Sequence, residues 1–264
     1  MIILKKTALI TGATSGIGKS FAKEYAKMGF DLIITGQIAD KINIVAKELK
    51  EQYEVDIDVF IGDLSKDKNI DLLIEKIKST RIDVLINNAG FGINNYFQEQ
   101  ELDGFLKMIG LHIVCVTKLT SAVITQMINR NEGTIINVAS DAAYLIIPKN
   151  AIYSGTKAFV KQFSEGLHLD LNNYKIKVQA LCPGLTTTDF QLKLGMDKSR
   201  QRNKGILRWE EPEQVVEKSM KYLKKDKVVC LCGGFTGRIQ VILATVMPKK
   251  WYYNMVLKIF ASKL

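Results

Sequence analysis

The chain has 264 residues, 47% of them apolar and 24% charged, with four prolines and no low-complexity tract. This composition excludes disorder and fibrous repeats and leaves enough chain for a sizeable core. Four cysteines (Cys115, Cys182, Cys230, Cys232) sit in apolar runs with only two histidines in the chain, which fits neither a zinc cluster nor a secreted disulfide framework, so a reduced, cytoplasmic, metal-free protein is expected. The net charge of +10 raises nucleic acid or an anionic membrane as partners, but residues 201–264 hold 13 basic and 5 acidic residues and carry most of it. No nucleic-acid motif accompanies the surplus, so a nucleic-acid partner is not expected.

From the N-terminus, Met1 to Lys6 runs straight into an apolar strand pattern, without a targeting signature. No stretch reaches the roughly 18 consecutive apolar residues of a membrane span. Short β-branched runs predict strands at Thr7–Thr11, Asp31–Thr35, Ile57–Ile61, Val84–Asn87, Thr134–Val138, Lys177–Cys182 and Val228–Cys232. Between them, apolar residues at three- and four-residue steps predict helices over Gly16–Lys27, Ile42–Glu51, Ile70–Ser79, Leu102–Asn129, Ala151–Asn172 and Pro212–Lys224. Strict βαβ alternation implies a doubly wound α/β fold: a seven-stranded parallel sheet of Rossmann type with helices on both faces. No linker divides it, so residues 1–264 read as one domain.

The first strand-to-helix junction is Thr11-Gly12-Ala13-Thr14-Ser15-Gly16-Ile17-Gly18. Its glycines suit a tight turn, a close backbone approach to a pyrophosphate and close packing of the helix on the sheet, with the helix N-terminus supplying N–H groups to the phosphates. The second strand ends Ile34-Thr35-Gly36-Gln37, without the carboxylate that would hold the ribose 2′-hydroxyl of NAD. NADP(H) is therefore preferred over NAD(H), with Lys19 and Lys41 as candidate cations beside a neutral Gln37. Farther along, Tyr153 and Lys157 lie four apart at the start of a helix, one face presenting a phenol beside an ammonium. The cation would lower the phenol's pKa and make it a proton donor and acceptor for a carbonyl or alcohol.

With these motifs the sequence resembles the short-chain dehydrogenase/reductase family over nearly its whole length: the Thr11–Gly18 loop, Asp63-Leu64 after the third strand, Asn87-Asn88-Ala89-Gly90 after the fourth, Ser140 after the fifth, Tyr153 and Lys157, and Pro183-Gly184 after the sixth. The resemblance implies that Tyr153 is the general acid/base, Lys157 its partner and a ribose ligand, and Ser140 a hydrogen-bond donor to the substrate oxygen. It implies that Asp63 and Leu64 meet the adenine side, that Asn88, Ala89 and Gly90 line the cofactor, and that Thr186 and Thr188 meet the carboxamide. A homodimer or homotetramer is also implied. One position departs from the family: His112 stands where an asparagine usually anchors a proton-relay water. Two roles stay open for it, a relay through its one donor and one acceptor, and a core histidine bonded to a backbone carbonyl.

Residues 190–208 read as a substrate lid, with Phe190, Leu192, Leu194 and Met196 suggesting an apolar substrate. Residues 235–264 read as a basic helical extension: a helix, a break at Pro248, then an amphipathic helix that either docks on the body or meets a membrane surface. The function expected is hydride transfer between NADP(H) and the carbonyl or secondary alcohol of an apolar ketone, acyl or steroid-like molecule. The alternative is a catalytically weak dinucleotide-binding regulator or scaffold.

Overall fold

The structure, a computed structural model, describes residues 5–190, 194, 203 and 208–261. Its strands are β1 (Thr7–Ile10), β2 (Asp31–Gly36), β3 (Ile57–Ile61), β4 (Val84–Asn87), β5 (Gly133–Val138), β6 (Ile176–Cys182) and β7 (Val229–Leu231). All pair in parallel, in the order β3-β2-β1-β4-β5-β6-β7. The helices are α1 (Gly16–Lys27), α2 (Ala39–Tyr53), α3 (Asp67–Ile77), α4 (Leu102–Ile109), α5 (Cys115–Arg130), α6 (Ala151–Asp170), α7 (Pro212–Lys224), α8 (Gly234–Val246) and α9 (Lys249–Ala261). The doubly wound sheet expected from the alternation is the fold observed.

The strands read as near-continuous apolar runs because helices cover both faces. Side chains alternate along each strand and feed two cores. On one face Ile10, Ile34 and Ile86 meet Phe21 and Tyr25 of α1, Ile42 and Leu49 of α2, and Val215 and Leu223 of α7. On the other, Leu9, Leu85 and Ile135 meet Leu73 of α3, Leu119 and Val123 of α5, and Leu167 of α6. Each fully buried Leu, Ile or Phe contributes about 1.5–3 kcal/mol relative to exposure. A polar column crosses the second core: Asn87 Nδ2 donates to Asn137 Oδ1 (2.8 Å) and Asn137 Nδ2 to Ser164 Oγ (2.9 Å), tying β4, β5 and α6 together.

Two features depart from the expected elements. Helices α2 and α3 begin at Ala39 and Asp67, three residues before the periodic apolar positions Ile42 and Ile70, because their first turns hold no buried apolar residue to mark them. The long helix expected over Leu102–Asn129 is present but contains a π-helical turn, Gly110–Val114, between α4 and α5. At Gly110 the backbone presses so closely on the loop after β3 that a Cβ would stand 2.7 Å from the Ser65 carbonyl oxygen. Length and composition would let Leu102–Arg130 cross a membrane, but here Leu111, Cys115, Leu119, Val123 and Met127 pack into the second core.

The sheet order reverses at β1. The chain builds outward through β2 and β3, then returns to place β4 on the other side of β1, and this leaves a crevice at the carboxyl ends of the strands. Most of the residues singled out by sequence border that crevice.

Candidate active site

The crevice opens into a cleft of about 570 Å³. One side is the β1–α1 loop, where Gly12 and Gly16 adopt φ of +67° and +57°, in the left-handed region that favours glycine. A Cβ on Gly12 would stand 2.8 Å from Ala89 Cα, and one on Gly18 would stand 2.3 Å from the Gly12 carbonyl oxygen. Thr11 Oγ1 accepts from the backbone N–H groups of Asn88 (2.9 Å) and Ala89 (3.0 Å), and Asn88 Nδ2 donates to the carbonyls of Thr11 and Gly12. The Asn88 amide thus spends its donors on the loop while its residue borders the cleft. Ser15, at the N-cap of α1, makes no side-chain bond to the helix, and no acid sits in the first turn. The open N–H groups of α1 and the positive end of its dipole lie where Thr14, Ser15, Gly16 and Ile17 line the cleft.

At the end of β2 the cleft is lined by Gly36, Gln37, Ile38 and Lys41, with Gly62 and Leu64 opposite. Gln37 Nε2 donates to Asp63 Oδ1 (3.0 Å), which also accepts from the Ser65 N–H (3.0 Å), so Asp63 braces the rim and is not itself a lining residue. The two candidate cations separate: Lys41 borders the cleft, whereas Lys19 is ion-paired with Glu48 at 2.7 Å. Glycines whose Cβ atoms have no room, an uncapped helix N-terminus and a lysine at the rim are a donor set that fits a phosphorylated dinucleotide.

The opposite wall holds Ser140, Tyr153 and Lys157. Ser140 follows β5, capping a 3₁₀ turn: its Oγ accepts from the Ala142 N–H (3.1 Å) and donates to Asp141 Oδ1 (3.0 Å). Tyr153 and Lys157 share a face of α6, with Lys157 Nζ 5.9 Å from the phenol ring centre and donating to the Val138 carbonyl (2.8 Å). Burial pushes the Lys157 ammonium down to about 8. Burial raises the Tyr153 phenol above its ordinary value, with the Ser140 hydrogen bond opposing it and the Asp141 charge adding to it, a direction opposite to that expected from the neighbouring ammonium alone. Burial makes either charge costly.

His112 lies in the π-helical turn, buried, its ring edge-on to Tyr153 at 5.9 Å. Nε2 accepts from the Phe91 N–H (3.2 Å), and Nδ1 is 2.9 Å from Thr156 Oγ1, whose own proton goes to the Tyr153 carbonyl (2.9 Å). The network assigns a neutral ring with its proton on Nδ1. Burial first, and then the Lys157 charge, hold its pKa well below the ordinary value. The ring is a core histidine as one of the two readings has it, but its backbone partner is an N–H and not a carbonyl, and its other nitrogen engages the Thr156 hydroxyl. Among the described residues no set of three His, Cys, Asp or Glu side chains converges on a metal position, and the four cysteines are buried free thiols.

After β6, Pro183, Gly184, Thr186 and Thr188 line the cleft, and Thr188 Cγ2 would lie 2.9 Å from a Cβ on Gly16. Of the expected lid, Phe190 and Leu194 line the cleft, with the Phe190 ring 5.8 Å from that of Tyr153; Leu192 and Met196 lie outside the described residues. Several lining residues were not anticipated, among them Phe91, Asp141, Ile147 and Phe260. Asp141 is pushed up to about 6 by burial, against hydrogen bonds from Ser140 and backbone N–H groups. Its position next to Ser140, three residues past the end of β5, was its only signal in the sequence.

Comparison with known proteins agrees with this geometry. The short chain dehydrogenase family matches residues 6–199. The very-long-chain 3-oxoacyl-CoA reductase of Mus musculus is 36% identical over 189 residues, 70% of this chain and 61% of that protein, so the chain spans about three-fifths of that relative's length. An uncharacterized oxidoreductase of Staphylococcus saprophyticus is 31% identical over 185 residues, 69% of this chain and 79% of its own. A short-chain dehydrogenase from Sphingobium yanoikuyae, solved in complex with NADPH, superposes with a TM-score of 0.81 at 27% identity, covering 91% of this chain and 96% of that one. A glycine-lined crevice at the reversal of a parallel sheet, with serine, tyrosine and lysine on its far wall, and a family match over most of the sequence lead to one assignment: the chain belongs to the short-chain dehydrogenase/reductase family of oxidoreductases.

Proposed function

We propose that the protein is an NADP(H)-dependent oxidoreductase that interconverts the carbonyl and secondary alcohol of an apolar substrate, a 3-oxoacyl chain being the class we favour. The observation that carries this reading is the convergence of Ser140, Tyr153 and Lys157 on one wall of the cleft that the glycine loop faces. When bound, the nicotinamide supplies or accepts the hydride. In reduction the Tyr153 hydroxyl gives its proton to the substrate oxygen, and in oxidation it takes the proton back. The Ser140 hydroxyl hydrogen-bonds the same oxygen as charge develops on it. Lys157, while protonated, offsets the burial that disfavours a Tyr153 phenolate. Phe91, Ile147, Phe190, Leu194 and Phe260 supply apolar wall, and the name of the mouse relative favours the acyl class among apolar ketones.

The test is oxidation of NADPH and NADH by the purified protein against 3-oxoacyl thioesters, steroid ketones and simple ketones. Turnover with NADPH should fall by about 10²–10⁴-fold in Tyr153→Phe. Replacing Lys41 with Ala should weaken NADPH binding by roughly tenfold while leaving NADH unchanged, as loss of a charge-assisted contact predicts. Tight cofactor binding without turnover on any carbonyl would overturn the oxidoreductase reading and favour a regulator.

A further inference from the structure

Helix α8 presents its large side chains to the outside. Phe235 (79% exposed), Ile239, Ile242 (57%) and Val246 (70%) follow one another at four-, three- and four-residue steps, and its buried positions are Val241 and Ala244. At about 100° per residue those four positions share an arc of roughly 60°. This is the reverse of a helix whose apolar stripe faces its own core. Helix α9 is held against the body by Tyr252 and Val256, which pack with Leu145, Ile147 and Met247. The Tyr252 hydroxyl accepts from the Ile146 N–H (3.0 Å) and donates to the Ile146 carbonyl (3.2 Å). Its outer positions carry Trp251 (69% exposed), Leu257, Lys250 and Lys258, while Phe260 lines the cleft. The hairpin thus carries an exposed apolar face and forms part of the cleft wall.

Charge identifies what would cover this face. Residues 227–264 contain six lysines and arginines and no acid, and of these Lys250 and Lys258 stand exposed on α9, whereas Arg238 is bonded to Tyr222 and Lys249 lies over the Tyr252 ring. A second copy of the same face would bring two cationic surfaces together, whereas an anionic lipid surface takes up both features: apolar side chains enter the acyl boundary, lysine stems reach back to the headgroups and tryptophan sits between them. The 13 residues of α8 reach about 20 Å, short of the ~30 Å hydrocarbon core, so the helix lies in the interface and does not span it. We propose that the α8–α9 hairpin docks the protein on an anionic lipid bilayer, placing the wall of the cleft at the membrane surface. The docking stands on the hairpin alone; that an apolar substrate passes from the bilayer into the cleft rests also on the function proposed above.

The test is co-sedimentation of the full-length protein with vesicles of phosphatidylcholine alone and of phosphatidylcholine with phosphatidylglycerol. The protein should pellet with the anionic vesicles, less so as salt rises, and not with the neutral ones. Two double variants, Phe235→Gln with Val246→Gln and Lys250→Glu with Lys258→Glu, should each reduce pelleting at least about tenfold while NADPH titration shows the cofactor still bound. In a Trp209→Phe background, Trp251 emission should shift to the blue on anionic vesicles and be quenched by brominated acyl chains. Absence of pelleting at low salt, or pelleting that both double variants retain, overturns the proposal. So does a change of oligomeric state in the variants, by light scattering, with no vesicle binding by the parent, which would make the face a self-interface. Because the readout is binding, a protein that docks without turnover, or turns over without docking, separates this inference from the proposed activity.

Discussion

Ser140 has one proton to give and two side chains that can take it, Asp141 Oδ1 at 3.0 Å and the Tyr153 phenolate. While that carboxylate is ionised, the hydroxyl proposed to meet a substrate oxygen is turned toward its neighbour in the chain. Burial raises the Asp141 carboxyl to about 6, so its protonated form is the one the fold tolerates best. The stability held by that form is complete below the ordinary carboxyl value of 3.8 and is lost as pH rises through about 6. Asp141→Asn should therefore raise the melting temperature at pH 8 and change it little at pH 4; equal shifts at both values would refute the argument. For His112, the bonds to Phe91 and Thr156 predict a structural loss: His112→Ala should cost about 1–3 kcal/mol in denaturant unfolding, since it empties a buried ring position and removes the acceptor of the part-buried Phe91 N–H. A ring held neutral adds no titration near pH 6.5, so the turnover profile of His112→Asn should keep its shape between pH 6 and 7. Residue types were readable at these positions, but proton placement was not. It depends on Phe91 and Thr156, which lie 21 and 44 residues away in sequence.

At the scale of elements, the glycine loop illustrates a feature that short-range sequence can specify. Three glycines between a β-branched strand and an amphipathic helix imply backbone conformations and contacts that side chains would block, and Gly12, Gly16 and Gly18 show them. Gly18 is the strictest, because the atom in its way is the Gly12 backbone carbonyl. Gly18→Ala should cost about 1–3 kcal/mol, with the loop displaced and NADPH binding weakened together, as unfolding and fluorescence titration would measure. The strands were legible to within a residue or so, since a β-branched apolar run is a local feature. The π-helical turn at Gly110–Val114 was not, because one extra residue in a 29-residue helix hardly disturbs the apolar period. Yet that turn holds His112 against Tyr153. Nor did periodicity mark the polar column of Asn87, Asn137 and Ser164, whose members each look like an isolated polar residue until the sheet aligns them.

For the whole molecule, the order of the sheet decides the site. Pairing β4 with β1 brings Asn88 and Ala89 against Thr11 and Gly12, some 77 residues earlier, and so closes the loop that faces the cleft. A ligand bound only by this assembled cleft stabilises the whole fold, so NADPH should raise the unfolding free energy by about 2.7 kcal/mol at a hundred times its dissociation constant, and NADH at the same concentration by less. Scanning calorimetry over a cofactor series would check both. By itself the sequence determined the parallel doubly wound architecture, the glycine loop and the Tyr153–Lys157 pair, because periodicity, glycine φ and i, i+4 spacing are properties of neighbours in the chain; Ser140 entered only through the family resemblance. Tertiary structure alone decided that Lys41 and not Lys19 borders the cleft, that Asp141 Oδ1 stands 3.0 Å from the Ser140 hydroxyl, that burial raises the Tyr153 phenol, and that α8 turns its apolar face outward. Each of those outcomes depends on which distant group removes water or offers a partner, and local sequence does not contain that information.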